Sequence, residues 1–274
     1  MSSPRIPLLL ALLVPSAAVG WTGSTPDGRV RWSHSAQSAD PDHPGHAFVP
    51  LATLATGGGT ALQLPASDDA VAVFPLGGTF DAFGKEVTWV QVCANGVVSF
   101  EVPTAAGTDG LLGTLDDTPS LPCAGAPSTL LPRSIAALQD DLDPSVGGQV
   151  WVFTDAFTTT VHWEAVPFAA GGGAATFQLT LYHDVAAFPG TATLAYDTVS
   201  APTSGDVRVG LATADSTATF LRHPRADVLS GSTFLLSPCS SVGDSDGDGV
   251  PDCRDCDPAD SGVGLPSVVG YPDR

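Results

Sequence analysis

Six residues near the end of this 274-residue chain have the types and the spacing to hold a hard cation: Asp244, Asp246, Asp248, Val250, Asp252 and Asp255. They fall at positions 1, 3, 5, 7, 9 and 12 of a twelve-residue window that has Gly249 at position 6. Ca²⁺ takes about six to eight oxygens at roughly 2.3–2.6 Å, and alternating Asp side chains on a tight turn supply them. Gly249 permits the bend after the third ligand, and Val250 offers a backbone carbonyl. Asp255 stands where the EF-hand pattern places a bidentate Glu. The competing reading is a solvated acidic linker. A random acidic run rarely sets its carboxylates at ligand spacing with a glycine in register.

The flanks do not read as the paired helices of an EF-hand, because Ser237-Pro238-Cys239 precedes the window and Asp257-Pro258 follows it. The segment resembles instead a single calcium repeat of the thrombospondin type 3 kind, a DxDxDG loop with little regular structure. The resemblance implies Ca²⁺ as the cofactor. A degenerate acidic motif follows in Asp255-Cys256-Asp257-Pro258-Ala259-Asp260.

A second acidic group, Asp140, Asp141 and Asp143, admits three readings. It could be a further Ca²⁺ site, one half of a paired-carboxylate active site of glycosidase type, or a turn whose Asp side chains cap backbone amides before Pro144. The turn is preferred, since no partner pair of carboxylates stands out. His43 and His46 could bite a transition metal, but they lie in a polar segment that reads as flexible loop. His162 alternates between Val161 and Trp163 and reads as a surface or satisfied histidine. No HExxH is present, the GxSxG spelling of Gly243-Asp244-Ser245-Asp246-Gly247 is part of the acidic window rather than a strand-to-helix elbow, and Gly57-Gly58-Gly59-Thr60 lacks the lysine of a phosphate loop. The tryptophans at positions 89, 151 and 163 sit on expected strands and read as core rather than as a carbohydrate platform. The expectation is a chain without catalytic residues.

The first twenty residues have a basic start at Arg5, an apolar run, then small residues to Gly20, which is the pattern of a secretory signal. The apolar run is too short to span a bilayer, and no later segment is long and apolar enough, so no membrane span is expected. Export makes disulfides available to the five cysteines, and an odd count leaves one over. The preferred pairing is Cys93 with Cys123, and Cys239 with Cys253 or Cys256. A net charge of −19, with Lys85 the lone lysine, argues against nucleic acid as a partner.

These residues must be positioned by an all-β body. Short runs rich in Val, Phe, Thr and Trp recur between Gly, Pro and Asn turns, the clearest over 70–74, 86–93, 97–102, 149–154, 159–166, 175–182, 192–196, 207–212 and 233–236. That spacing predicts an antiparallel β-sandwich with long loops, plus a short irregular calcium-binding segment at its C-terminal end. Asn95-Gly96 predicts a two-residue hairpin turn with positive φ at both positions. The Gly- and Pro-rich stretch 103–130 predicts a long loop across one end of the sheet, clipped by Cys123.

The runs Phe80-Asp81-Ala82-Phe83-Gly84 and Val90-Gln91-Val92-Cys93-Ala94-Asn95-Gly96-Val97-Val98-Ser99-Phe100, with Ile135 to Pro144 and the strands after them, resemble nidogen-like extracellular β domains over about residues 60–215. The expected organisation is a signal at 1–20, a polar extension at 21–59, the sandwich at 60–237 and the calcium tail at 238–274. The resemblance and the calcium loop together imply a secreted or cell-surface interaction or adhesion module whose ligand is an extracellular protein or polysaccharide. The alternative is a non-catalytic, carbohydrate-binding accessory part of a secreted hydrolase system.

Overall fold

A computed structural model describes residues 21–26, 29–35, 47–124, 130–186, 189–200, 207–215, 217–223 and 229–238. Among these described residues, fourteen strands and one short helix follow in the order β1 (Trp21–Ser24), β2 (Val30–Ser35), α1 (Leu51–Thr56), β3 (Thr60–Gln63), β4 (Val71–Asp81), β5 (Glu86–Cys93), β6 (Val97–Ser99), β7 (Ser134–Gln139), β8 (Gln149–Thr154), β9 (Thr158–Pro167), β10 (Ala174–Tyr182), β11 (Ala192–Val199), β12 (Val207–Ala212), β13 (Thr217–His223) and β14 (Thr233–Pro238). They make two antiparallel sheets, of eight strands in the order β1-β2-β14-β11-β10-β9-β8-β3 and of six in the order β13-β12-β7-β6-β5-β4. The all-β expectation holds. Among the described residues no helix is long and apolar enough to cross a membrane.

Alternation builds the core. Val90 and Val92 of β5, Ile135 and Ala137 of β7, Val161 and Trp163 of β9, and Phe177 and Leu179 of β10 all belong to one buried cluster between the sheets. Side chains of Leu, Val or Phe size each contribute roughly 1.5–3 kcal/mol when fully buried. Two polar side chains cross the core and fix how the sheets face each other. The Trp163 indole N–H donates to the Ala94 carbonyl at 3.0 Å, and the Tyr196 hydroxyl donates to the carbonyl of Ala137.

β7 is buried along its whole length because its outer face is covered too. Residues 101–124 run over the six-stranded sheet, and a disulfide joins Cys93 to Cys123 with the Cα atoms 5.6 Å apart. Beneath the loop lies a second small core of Cys93, Val97, Leu121, Cys123 and Ala136. The fully buried Gln91 clamps the loop: its amide donates to the Glu101 carbonyl at 2.7 Å and accepts from the amides of Ser120 at 2.6 Å and Leu121 at 3.0 Å.

Three expectations change. The β5–β6 connection has three residues, Ala94-Asn95-Gly96, since Cys93 pairs with Val97. Only Gly96, at φ 73°, is left-handed there, so the turn is the three-residue kind with glycine in the left-handed position rather than a type I′ pair. A Cβ on Gly96 would lie 1.9 Å from the Leu138 carbonyl oxygen. Of the three strand tryptophans, only Trp163 is core. Trp89 and Trp151 are half-buried, on strands of different sheets. Segment 21–59, read as an extension with room for one short strand near Arg29–Trp32, supplies two strands, β1 and β2, and β2 is paired along its length with β14.

Candidate functional site

The ligands expected from the sequence, Asp244, Asp246, Asp248, Val250, Asp252 and Asp255, lie outside the described residues, as do Cys239, Cys253, Cys256, His43 and His46. The described chain before them ends with β14 at Pro238.

Within the sandwich, two clusters of carboxylates assemble from loops. In the first, oxygens of Asp68, Asp69 and Asp141 all lie within 4.8 Å of one another. Asp68 and Asp69 form the turn entering β4, with Asp69 left-handed at φ 55°, a conformation Asp tolerates better than most residues. Asp141 follows β7, held in place because the fully buried Leu142 bridges to Phe168 and the Asp141 carbonyl accepts from Ala169 at 2.8 Å.

The strut between these turns is Asn95, itself fully buried. Its side-chain amide donates to Asp69 at 2.8 Å and to the Cys123 carbonyl at 2.6 Å, and its oxygen accepts from the Leu142 amide at 2.8 Å. Burial first, then the neighbouring carboxylates, push Asp68 above the ordinary value of 3.8; the same causes in the same order raise Asp141.

The expected trio Asp140, Asp141 and Asp143 is therefore split. Asp140 is buried and accepts from the Asp141 amide at 2.7 Å, and burial raises its pKa. Asp143 accepts from the amide and hydroxyl of Ser145. Both cap backbone as a turn should, and only Asp141 turns toward Asp68 and Asp69. Three carboxylates can attract a proton or a cation, but they fall short of the six to eight oxygens of a complete calcium shell.

In the second cluster, Asp109, Asp116 and Asp117 gather in the covering loop. Here every carboxylate meets donors. Asp117 accepts from the amides of Gly107 at 2.9 Å, Gly113 at 2.5 Å and Thr114 at 3.1 Å. Asp116 accepts from the Thr108 amide and hydroxyl and from the Thr114 hydroxyl. Asp109 accepts from the Leu111 amide. The Thr108 and Thr114 hydroxyls and the Thr108 amide draw Asp116 down to about 2. For Asp117 burial opposes ionisation, but the three amides outweigh it and the pKa is lowered.

Among the described residues, two buried histidines serve structure. His183 is fully buried and ends a chain of hydrogen bonds: the Gly77 amide donates to Thr154 Oγ1 at 2.7 Å, Thr154 and Thr159 hydroxyls lie 2.8 Å apart, and Thr159 Oγ1 meets His183 Nε2 at 2.9 Å. The Ala156 carbonyl beside Nδ1 can only accept, so Nδ1 carries the proton of the neutral ring and Nε2 accepts from the Thr159 hydroxyl. Nδ1–H then donates to the Ala156 carbonyl at 3.3 Å. Burial lowers the His183 pKa, in keeping with a neutral ring. His162 is likewise fully buried, with Nε2 at 2.6 Å from Glu164.

A cavity of about 200 Å³ between α1 and the β8–β9 hairpin contains Asp155. That carboxylate is already engaged by the amides of Phe157 and Thr158. The Thr158 hydroxyl adds a long contact to the same carboxylate at 3.4 Å, so Asp155 caps its own turn with all of these donors. Sequence reasoning missed Asp68 and Asp69, whose only signal was a doubled Asp before a strand, and missed the His183 chain entirely. Comparison with protein-family models, with curated proteins and with solved structures finds no match to this chain.

Proposed function

We propose that this chain is an exported, calcium-binding interaction module without catalytic chemistry. The observation that carries the reading is the ligand-spaced run Asp244, Asp246, Asp248, Val250, Asp252 and Asp255 around Gly249. The run begins six residues beyond the end of β14 at Pro238. A cation held there would tie down a tail whose carboxylates otherwise repel one another.

The likeness of the tail to a thrombospondin type 3 repeat and of the body to nidogen-like domains supports the same reading, as does the signal-like start of the chain. The rigid, disulfide-clipped loop over one sheet suits extracellular binding. The Asp68, Asp69 and Asp141 cluster is compatible with this reading and does not carry it.

The polysaccharide reading has less behind it. Trp89 and Trp151 sit in different sheets and make no shared platform. The stack of Trp151 on Phe153, at 6.2 Å and 25°, involves a phenyl ring only 7% exposed.

The test is calorimetric titration of the mature protein with Ca²⁺, beside the double variant Asp246→Ala/Asp248→Ala. A calcium heat in the wild type that vanishes in the variant, together with slower proteolysis of the tail in Ca²⁺ than in chelator, is the expected outcome. Equal proteolysis in both conditions would remove the site. A turnover of peptide, ester or glycoside that vanishes on Asp140→Asn, Asp141→Asn or Asp143→Asn would remove the non-catalytic reading.

A further inference from the structure

The loop over the six-stranded sheet does more than cover it. Of the seven large hydrophobic side chains that stand exposed among the described residues, four lie between positions 102 and 115. Leu111, Leu112 and Leu115 are 64, 48 and 52% exposed. Grouped aliphatic exposure of this kind is uncommon on a chain that works alone and marks contact surfaces.

Slack packing does not account for it, because the segment is held from every side. The three carboxylates of Asp109, Asp116 and Asp117 consume the amides of residues 107, 108, 111, 113 and 114. Gly113 rests on the indole of Trp89, so closely that a Cβ there would lie 3.1 Å from the ring. The Trp89 N–H in turn donates to the Glu101 carbonyl at 3.1 Å. A loop built this way loses little conformational freedom when it binds, and preorganisation of that sort favours affinity.

Charge narrows the partner. No Lys or Arg occurs from 101 to 124, and the carboxylates of Asp109 and Asp116 are exposed among the leucines. A complementary surface therefore needs an apolar groove for the leucines and cations at its edge.

We propose that residues 107–117 form a protein-docking knob, with Leu111, Leu112 and Leu115 entering an apolar groove that is edged by lysine or arginine on the partner. This rests on the interaction-module reading and adds the chemistry of the partner.

The probe is a set of two-helix peptides that present a groove between their helices: one with the groove lined by leucines and edged by lysines, one with glutamates in place of the lysines, and one with serines in place of the leucines. Binding to the mature protein is measured by fluorescence anisotropy in Ca²⁺ and in chelator. The wild type should bind the leucine–lysine peptide at least about tenfold more tightly than either control. The variant Leu111→Ser/Leu112→Ser/Leu115→Ser should lose that preference, while Val146→Ser, at another exposed valine, keeps it. All three leucines are surface residues, so the melting temperature of the triple variant should stay at the wild-type value.

Equal binding by wild type and triple variant would overturn the knob and leave only charge attraction. So would a self-association that the triple variant abolishes, because the groove would then belong to a second copy. A knob that binds while the calcium heat is absent would sink the calcium reading alone; a calcium heat without leucine-dependent binding would sink the knob alone.

Discussion

Two groups of three aspartates, in one molecule, are built on opposite principles. Asp109, Asp116 and Asp117 lie within one short loop and spend their oxygens on that loop's own amides and hydroxyls. Asp68, Asp69 and Asp141 come from two turns far apart in sequence and face each other more than they face donors. In the first group Asp116 and Asp117 are depressed in pKa, and in the second Asp68 and Asp141 are raised. The number of carboxylates is the same; what differs is whether backbone N–H groups reach them first. A loop can wrap its own amides around an acid, whereas two turns meeting edge to edge bring charge together faster than they bring backbone donors. Only the second arrangement would gain from a proton or a cation.

The contrast can be broken most severely at the turn beneath the second group. Gly96→Val places a side chain against the Leu138 carbonyl in a left-handed backbone, and it should cost about 4 kcal/mol or more, enough to compromise folding. Native-like thermal unfolding of that variant would mean the turn is not where the two halves of the cluster meet. Next is Asn95→Ala, which strands the Leu142 amide and takes one donor from Asp69. A loss of about 2–3 kcal/mol in denaturant unfolding is expected, and a near-zero loss would show that the turns hold together without the strut.

The pH dependence then separates the two groups by sign. Asp116, lowered from 3.8 to about 2, supplies stability that is present above 3.8 and lost as pH falls through its folded value. Asp68 and Asp141, raised in the fold, supply stability that is full below 3.8 and lost as pH rises through their folded values. Carboxyl carbon shifts followed by NMR should order the four groups accordingly, with Asp116 and Asp117 titrating last on acidification. Any titration of Asp68 below Asp116 would cancel the comparison.

His183 adds a limb of its own, since its lowered pKa makes stability fall as pH drops below 6.5 toward the folded value. His183→Asn should flatten that limb, whatever it does to stability at higher pH. The smallest effect is expected from Asp68→Asn, which relieves repulsion at an exposed position: a slightly higher melting temperature near neutral pH and none in acid. Destabilisation near neutral pH would mean that the Asp68 charge is already compensated.

Much of the framework is legible in the residues because strand alternation is a local signal. Val90 and Val92, Val161 and Trp163 announce inward faces without knowledge of any partner strand. The Cys93–Cys123 bridge and the clipped loop are foreshadowed by two cysteines on either side of a Gly- and Pro-rich stretch.

What the residues do not announce is close approach between distant segments. The run 70–74 reads as a complete short strand, yet β4 continues through a break in its pairing with β5 to Asp81. Gly77 is there because a Cβ would sit 1.9 Å from the Asp155 carbonyl oxygen. Asn95 reads as a turn former and proves to be a buried strut, since its partners are set by tertiary packing. Asp68 and Asp141 share no period or spacing that could pair them. The most specific chemistry in the sequence, the window from Asp244 to Asp255, lies outside the described residues.

The placing of β14 has a mechanical consequence. β2 is antiparallel both to β1 and to β14, so β1 and β14 run in the same direction on either side of it. Tension applied at Trp21 and at Pro238 pulls those two strands oppositely along their length. The four residue pairs of β1 with β2 and the six of β2 with β14 would then share the load at once, in shear, because their hydrogen bonds stand across the pulling direction. A hairpin pulled from its open end gives way one pair at a time. A domain drawn taut between a tethered tail and its opposite terminus would instead resist as a block, up to a single abrupt rupture.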